Sequence, residues 1–217
     1  MTSPRETSVV VVLGAGGTAL YMAEVVERTG CLCAGGFLDD DPKKAGETLC
    51  GLSVLGRISD WRSLPENYLF VTSLYAAKGT PRYRSLVDEL DIPDSRWATV
   101  VDPTAVVSTT ATIGPGTFIG PGCIVEPLVR LGRRCALLGN VYVAHHTRLG
   151  DYVVCANSAS LAGGVSVGDA TYIGANATLR EYVTIGNNAV IGMGSVVVKD
   201  VADCVTVVGN PARVISR

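Results

Sequence analysis

A six-residue repeat runs through the second half of this 217-residue sequence. A small or β-branched residue stands four places after most of the repeating positions, and glycine directly follows eight of them. A six-residue period with one obligatory aliphatic is typical of a parallel β-helix, in which three hexads form one triangular coil. The repeating residue is aliphatic, or once cysteine, through seventeen consecutive hexads without an insertion: Val101, Val107, Ile113, Ile119, Val125, Leu131, Leu137, Val143, Leu149, Cys155, Leu161, Val167, Ile173, Leu179, Ile185, Ile191 and Val197.

The repeat fixes the organisation of this half of the chain. Each coil of a β-helix contacts only its neighbours, so the aliphatic side chains form a continuous stack inside. A series of unrelated short strands would not keep one register over seventeen hexads. The sequence therefore predicts a β-helix domain over residues 98–217, which ends in a short tail.

The first hundred residues have a different pattern. The apolar run Val9–Leu13 predicts a strand buried on both faces, and further strands are expected from about Cys31 to Leu38 and from Leu69 to Ser73. One helix is predicted over Thr18–Arg28, and a second opens at Thr80-Pro81, where Thr suits the N-cap and Pro the first helical position. About three strands alternating with helices predict a small Rossmann-like α/β domain over residues 1–97, which "DIPDSRW" (91–97) connects to the repeats.

A glycine loop follows the first predicted strand. Backbone N–H groups of Gly14, Gly16 and Gly17, together with the helix dipole, suit a phosphate. Asp39 and Asp40 end the next strand, where a Rossmann unit places a carboxylate against a sugar hydroxyl. Three strands make one mononucleotide half, so a nucleotide or nucleotide-sugar fits better than a dinucleotide. The alternative, glycines for a tight turn beside an acidic strand end, stays open.

Composition excludes several classes of function. The net charge is −2 and the pI is about 5.7, with no basic stripe for nucleic acid. No stretch approaches the eighteen apolar residues of a membrane span. The seven cysteines are odd in number and lack paired spacing, which favours reduced thiols in a cytoplasmic protein.

The chain has only two histidines, and they are adjacent. His145 and His146 take the third and fourth positions of the hexad that starts at Val143, which predicts an outer corner of the β-helix. A zinc site needs more ligands converging on one ion, so no metal is expected. A general base remains, since histidine exchanges protons near neutral pH, and a backbone N–H such as that of Gly163 suits an oxyanion. A solvated pair on the surface is the open alternative.

Other reactive or charged side chains have simpler interpretations. Cys123 and Cys135 fall on the small fifth position and Cys155 on the inward position, so we expect core fillers and no acyl-cysteine. Three arginines crowd two successive turns, and we expect them to lie on a solvated corner, with phosphate contact as the alternative: Arg130, Arg133 and Arg134.

Several stretches together resemble the PglD/NeuD-like bacterial sugar acetyltransferases over essentially the whole chain. They are "VVLGAGG", "FLDD", the hexads around "HHTRLGD", "LAGGVSVGDATYIGANA" and the ending "VVGNPARVI". The resemblance implies a left-handed β-helix, a homotrimer with active sites between adjacent helices, and acetyl transfer from acetyl-CoA to a nucleotide-linked amino sugar. It also implies that His145 is the general base and that the nucleotide is held by the glycine loop, Thr18, Asp39 and Asp40.

The resemblance further implies an acetyl-CoA groove that runs past Gly163 and Ala175 toward the tail at Pro211. Met193 is assigned to the same cofactor site. Lys199 and Arg213 lie near this end of the chain as candidate phosphate partners, with an ordinary surface role as the alternative. Three positions depart from the family pattern. His146 stands where a carboxylate commonly orients the base, Val154 stands where a second histidine is found, and Thr18 stands where the glycine loop continues with a histidine.

The expected activity is N-acetylation of a nucleotide-linked amino sugar, of the 4-amino-4,6-dideoxy type, for cell-surface glycan synthesis in the cytoplasm. O-acetylation of a sugar hydroxyl or small alcohol is an alternative. A catalytically weak subunit that binds the nucleotide-sugar is another.

Overall fold

The computed structural model describes residues 8–75 and 80–216. The N-terminal part contains a five-stranded sheet, two helices and three short 3-10 turns at Pro42–Lys44, Ile58–Ser63 and Asp94–Arg96. Its strands are β1 (Ser8–Leu13), β2 (Leu32–Leu38), β3 (Thr48–Leu49), β4 (Leu52–Gly56) and β5 (Leu69–Thr72), and its helices are α1 (Gly17–Arg28) and α2 (Thr80–Glu89).

The strand order is β3-β4-β2-β1-β5, with β1 between two parallel neighbours. Residues Val10–Leu13 are fully buried, as the continuous apolar run predicts. The expected count of about three strands was wrong, since β4 adds a parallel strand beside β2 and β3 pairs antiparallel with β4. In β4 only Val54 is buried, so this strand has no apolar run that marks it in the sequence.

The C-terminal part is the predicted β-helix. The short strands between Val100 and Leu179 each pair in parallel with the strand eighteen residues later, for example Ile124 with Tyr142, so three hexads do form one coil. The last coil is two residues shorter, and Val190 pairs with Thr206. Its strands are β6 (Val100–Val101), β7 (Val106–Val107), β8 (Thr112–Ile113), β9 (Phe118–Ile119), β10 (Ile124–Val125), β11 (Arg130–Leu131), β12 (Ala136–Leu137), β13 (Tyr142–Val143), β14 (Arg148–Leu149), β15 (Val154–Cys155), β16 (Ser160–Leu161), β17 (Ser166–Val167), β18 (Tyr172–Ile173), β19 (Thr178–Leu179), β20 (Thr184–Ile185), β21 (Val190–Ile191), β22 (Val196–Val197), β23 (Thr206–Val208) and β24 (Arg213–Ser216).

The strands form three faces. The N-face comprises β6, β9, β12, β15, β18, β21, β23 and the antiparallel β24. The second face comprises β7, β10, β13, β16, β19 and β22, and the third face comprises β8, β11, β14, β17 and β20. The chain runs through each coil in the order N-face, second face, third face.

The interior is the aliphatic stack that the repeat predicts, with Ile119, Leu137, Leu161, Ile173 and Ile191 fully buried. Cys123, Cys135 and Cys155 are buried in it, which confirms them as core fillers. Burial raises the pKa of the Cys123 thiol to about 11 and that of Cys135 to about 12, so neither provides a thiolate near neutral pH. All seven cysteines are unpaired.

A ladder of side chains lines the corner between the third face and the N-face. Asp151, Asp169, Asn187 and Asp203 each accept the backbone N–H of the residue one coil earlier, at 2.8 to 2.9 Å. These bonds satisfy N–H groups that the strand ladders leave free at the turns. One rung is an uncharged amide, so this capping role requires an acceptor and not a charge.

The sheet domain packs on the N-face. Outward side chains of Val100, Phe118, Ala136 and Val154 form one apolar cluster with α1 and β1, and the rings of Tyr21 and Phe118 meet edge to face at 5.7 Å. Val154, one of the three residues that depart from the family pattern, is therefore part of this interface.

Arg134 corrects the prediction of a solvated arginine corner. It is only 8% exposed. Its guanidinium lies 4.5 Å from the ring centre of Trp97 and 3.3 Å from Asp94, and thus links the sheet domain to the β-helix. Arg133 remains on the surface, paired with Asp151 at 2.8 Å.

The first β-helix strand begins at Val100, while Ala98 still donates to Phe70 of β5. The division between residues 97 and 98 stays a prediction. Within the described ranges, neither helix has the length and apolar character needed to cross a membrane.

Candidate active site

His145 and His146 lie exposed at the corner between the second and third faces, just after β13. The turn places His146 in the left-handed region, with φ of 62°, and its N–H donates to Pro127 of the preceding coil. Both rings are thus held on the outside of the β-helix, as the repeat register predicts.

The imidazole of His145 lies against Gly163, which occupies the same turn one coil later. A methyl group at Gly163 would come within 2.6 Å of Cε1 and 2.9 Å of Nε2, so only glycine leaves room for this ring position. Gly164 N–H donates to the His145 carbonyl at 2.9 Å, and the Gly163 carbonyl accepts from Tyr182. The predicted base and the predicted oxyanion donor are therefore adjacent.

The side chain beside the His145 ring is His146, with 3.1 Å between the two Nδ1 atoms. The nearby acid is Glu126, one coil earlier, which sequence reasoning missed. Its Oε2 accepts the His145 backbone N–H at 2.8 Å, and its Oε1 accepts the Tyr142 hydroxyl at 2.5 Å. The bond from Tyr142, followed by the bond from His145, holds the pKa of the Glu126 carboxyl below its usual range. The same bond to Glu126 raises the pKa of Tyr142.

A signal for Glu126 was present in the repeat. The position after the inward aliphatic is glycine or alanine in eleven of the seventeen hexads, and it is acidic only at Asp102 and Glu126. Asp102 is buried and pairs with Arg28 of α1. Glu126 is half-buried beside the two histidines.

The structure brings the glycine loop and the acidic strand end together. Ala15 N–H donates to Asp39 Oδ2 at 2.7 Å, and the Lys44 ammonium lies 2.9 Å from the same oxygen. Burial raises the pKa of Asp39, but the hydrogen bonds from Lys44 and the backbone outweigh it and leave the pKa lowered. Methyl groups on Gly16 and Gly17 would meet no atom within 4 Å, so the loop is open at the start of α1.

Asp40 lies just after β2, and Thr18 directly follows the glycine loop in sequence. Asp40 accepts the Ile58 N–H at 3.0 Å and lines a cavity of about 360 Å³ with Asp39, Arg57 and Asp60. Thr18 is half-buried in the first turn of α1, beside the Tyr75 hydroxyl. Gly14 has φ of 97° and is backed by Ser73, so it shapes the turn.

The predicted acetyl-CoA residues divide between two edges of the second face. Gly163 and Lys199 follow strands of the second face and lie on the His145 edge, whereas Ala175 and Met193 follow strands of the N-face and lie on the opposite edge. Lys199 and Arg213 line a common cavity of about 270 Å³. Pro211 precedes Ala212, whose N–H donates to Val196 of β22.

The glycine loop and His145 are not brought together within one chain. The sheet domain covers the N-face, and the His145 corner joins the other two faces. In a triangular cross-section that corner lies opposite the N-face. Over residues 8–75 and 80–216, no group of three or more His, Cys, Asp or Glu side chains is arranged to hold a metal ion.

Comparison with known proteins divides the chain in the same way. The PglD N-terminal domain family matches residues 9–85. The hexapeptide repeat of succinyl-transferase matches residues 110–144, and the bacterial transferase hexapeptide matches residues 164–199.

The solved structures that are similar over nearly the full chain include two acetyltransferases. The acetyltransferase domain of PglB from Neisseria gonorrhoeae, in complex with acetyl coenzyme A, is 26% identical. The match covers 96% of this chain and 100% of that domain, with a TM-score of 0.85. A mutant of perosamine N-acetyltransferase from Caulobacter crescentus, in complex with CoA and GDP-perosamine, is also 26% identical, covering 96% and 97% with a TM-score of 0.83.

A curated relative matches over a shorter segment. The acyl-[acyl-carrier-protein]–UDP-N-acetylglucosamine O-acyltransferase of Alkalilimnicola ehrlichii is 43% identical over 86 residues, which is 40% of this chain. The match spans 33% of that relative's length. The fold is therefore the PglD-like combination of a small sheet domain and a left-handed β-helix.

Proposed function

We propose that this PglD-like protein is an acetyl-CoA-dependent N-acetyltransferase that acts on a nucleotide-linked amino sugar. The observation that carries the proposal is its likeness, at 26% identity over 96% of the chain, to an acetyltransferase domain crystallised with acetyl coenzyme A. The perosamine N-acetyltransferase structure, which holds CoA and GDP-perosamine, supports the choice of acceptor.

The chemistry centres on His145. The sugar amine attacks the thioester carbonyl while His145 takes its proton at Nε2, the nitrogen beside Gly163. The Gly163 N–H, which has no acceptor among the described residues, is available to the developing oxyanion. The C–N bond forms, the C–S bond breaks, and the proton passes from His145 to the departing CoA sulfur.

Lys199 and Arg213 carry the charge expected of groups that hold the CoA phosphates. They share one cavity three coils beyond His145, which corresponds to roughly 14 Å at the usual strand spacing. Pro211 belongs to the same tail. Ala175 and Met193 lie on the other edge of the second face, so they would meet the cofactor bound at a neighbouring chain.

The nucleotide is held by the sheet domain in this proposal. Gly16, Gly17 and Thr18 offer an open helix start to a phosphate. Asp39 already binds Ala15 and Lys44, so its task is to hold the loop, and Asp40 is the better partner for a sugar hydroxyl. Asp40→Ala should raise KM for the nucleotide-sugar and leave KM for acetyl-CoA nearly unchanged.

The separation of the two half-sites supports the proposed homotrimer, because a neighbouring chain would have to bring its sheet domain to the His145 corner. The second face is suited to this contact. Its outward side chains are uncharged, and Val106 is 64% and Ile124 40% exposed. Sedimentation should give a trimer at micromolar concentration, and a fully active monomer would contradict this assembly.

We place the reaction in the cytoplasm, in cell-surface glycan synthesis, with a 4-amino-4,6-dideoxy sugar as the acceptor. The O-acyltransferase match leaves a second candidate, acetylation of a sugar hydroxyl. Incubation with acetyl-CoA and a panel of UDP-, GDP- and dTDP-linked sugars, with and without an amine, separates the two by thiol release. Binding of the nucleotide-sugar without thiol release would point to the non-catalytic alternative.

The substitution His145→Ala tests the proposed role of His145 as the general base. Loss of a general base typically costs about 10²–10⁴-fold in rate, with KM little changed because the base does not supply uniform binding. Activity within twofold of wild type between about pH 6 and 9 would remove His145 from the mechanism.

A further inference from the structure

Glu126 is an acid placed at the proposed catalytic corner without a basic partner. None of the ion pairs formed within the described residues includes it. Its two donors are instead the Tyr142 hydroxyl and the His145 backbone N–H. Two uncharged donors leave its full negative charge beside the base.

The His145 ring lacks a neutralising partner of its own. Its Nδ1 faces Nδ1 of His146, and a neutral imidazole orients a neighbouring ring but does not offset its charge. When His145 takes the proton of the substrate amine it becomes a cation. An anion fixed nearby stabilises that cation in the transition state more than in the ground state.

Resting on the proposed function, we infer that Glu126 is a positioning residue whose fixed charge stabilises protonated His145, in place of a carboxylate next to the ring. The carboxylate is contributed by the preceding coil of the same chain. It is fixed on both oxygens, so it is already oriented when the proton arrives.

A purely structural role for Glu126 makes a different prediction. At the opposite corner of the third face, Asn187 caps the Asp169 N–H with a neutral amide oxygen. A glutamine at position 126 would keep an oxygen for the His145 N–H, and the Tyr142 hydroxyl can accept from its amide. Glu126→Gln therefore removes the negative charge but keeps the oxygen that accepts the His145 backbone N–H.

Other ionisable groups face this corner, and all of them are the same in wild type and in Glu126→Gln. They are His146 and Tyr142, then Arg180, Glu181 and Tyr182 across the Gly163–Gly164 turn, and Arg130 and Arg148 on the third face. Among these side chains, only His146 hydrogen-bonds to His145.

The experiment compares Glu126→Gln with Glu126→Asp and with Asp203→Asn in the full-length protein. Asp203→Asn is the matched control, because it removes a carboxylate that caps a turn N–H away from the histidines. For Glu126→Gln we expect kcat to fall tenfold or more, both KM values to stay within twofold, and the acid limb of the rate profile to move to lower pH. Glu126→Asp should keep the acid limb of wild type, and Asp203→Asn should keep its rate as well.

An NMR titration of the His145 imidazole without substrate gives a second readout. Its midpoint should move to lower pH in Glu126→Gln and stay in place in Asp203→Asn. Wild-type kcat and an unchanged midpoint in Glu126→Gln would overturn the inference and leave Glu126 as a turn cap. So would equal loss in the Asp and Gln variants. If wild type transfers acetyl to no acceptor, the proposed function fails, and the titration still decides the role of Glu126.

Discussion

Nδ1 of His145 lies 3.1 Å from Nδ1 of His146, so the two imidazoles meet through the same type of nitrogen. Such a contact holds one proton, donated by one ring and accepted by the other. For His145 to receive a proton at Nε2, its own proton must be on Nδ1. His146 must then accept at Nδ1 and carry its proton on Nε2.

This arrangement predicts which side chain at position 146 keeps the active tautomer. In His146→Asn the amide oxygen can accept the proton on Nδ1 of His145, and asparagine tolerates the left-handed backbone of this position. His146→Ala removes the acceptor, so the Nδ1 proton of His145 is no longer held in place. We therefore expect kcat of His146→Asn to stay above that of His146→Ala in steady-state kinetics. Equal kcat in the two variants would contradict the tautomer argument.

The contact between His145 and Gly163 makes a second prediction. In Gly163→Ala the new methyl group would lie 2.6 Å from Cε1, so the imidazole has to rotate away from its place. We expect kcat to fall at least tenfold while the fold is kept. The control is Gly139→Ala, at the equivalent turn position of another corner, where the nearest atom is 3.6 Å away. Steady-state kinetics and thermal unfolding of both variants test this, and equal activity in the two would refute the steric argument.

The features that were predictable from sequence are those that repeat locally. The period of six alone determines which side chains point inward, and it places His145 on an outer corner. Glu126 and Arg134 escaped this reasoning because their partners are distant in sequence. Glu126 contacts His145 from one coil away, and Arg134 is buried because Trp97 and Asp94 pack over it. The sequence also did not show that Ala175 and Met193 lie on a different edge of the second face from Gly163 and Lys199. That difference depends on which hexads form each corner of the coil.

The Asp39 carboxylate, which holds the glycine loop, makes the stability of the folded protein depend on pH. Its pKa is lowered in the folded protein, so it contributes stability above its unfolded pKa of about 3.9, and this contribution is lost as pH falls through the folded pKa. Asp39→Asn should therefore lower the free energy of unfolding at pH 7. The difference from wild type should shrink below about pH 4. Urea unfolding across this range tests it, and a difference that does not vary with pH would count against a charged role for Asp39.

Arg134 provides the last prediction, on the link between the two domains. Its guanidinium lies 4.5 Å from the Trp97 ring centre and 5.5 Å from that of Tyr152. Its ionic partners, Asp94 and Asp88, are both about half exposed, so the ion pairs contribute little and the stacking contributes more.

Arg134→Ala removes the stacking and leaves a gap between two rings, for which we expect a loss of about 1–3 kcal/mol. The left-handed backbone at this position is equally unfavourable for both residues and cancels in the comparison. Arg133→Ala is the matched control, because it breaks an exposed ion pair with Asp151 and should cost about 0–1 kcal/mol. Urea unfolding of both variants measures the difference. Equal losses would mean that burial of Arg134 does not hold the sheet domain on the β-helix.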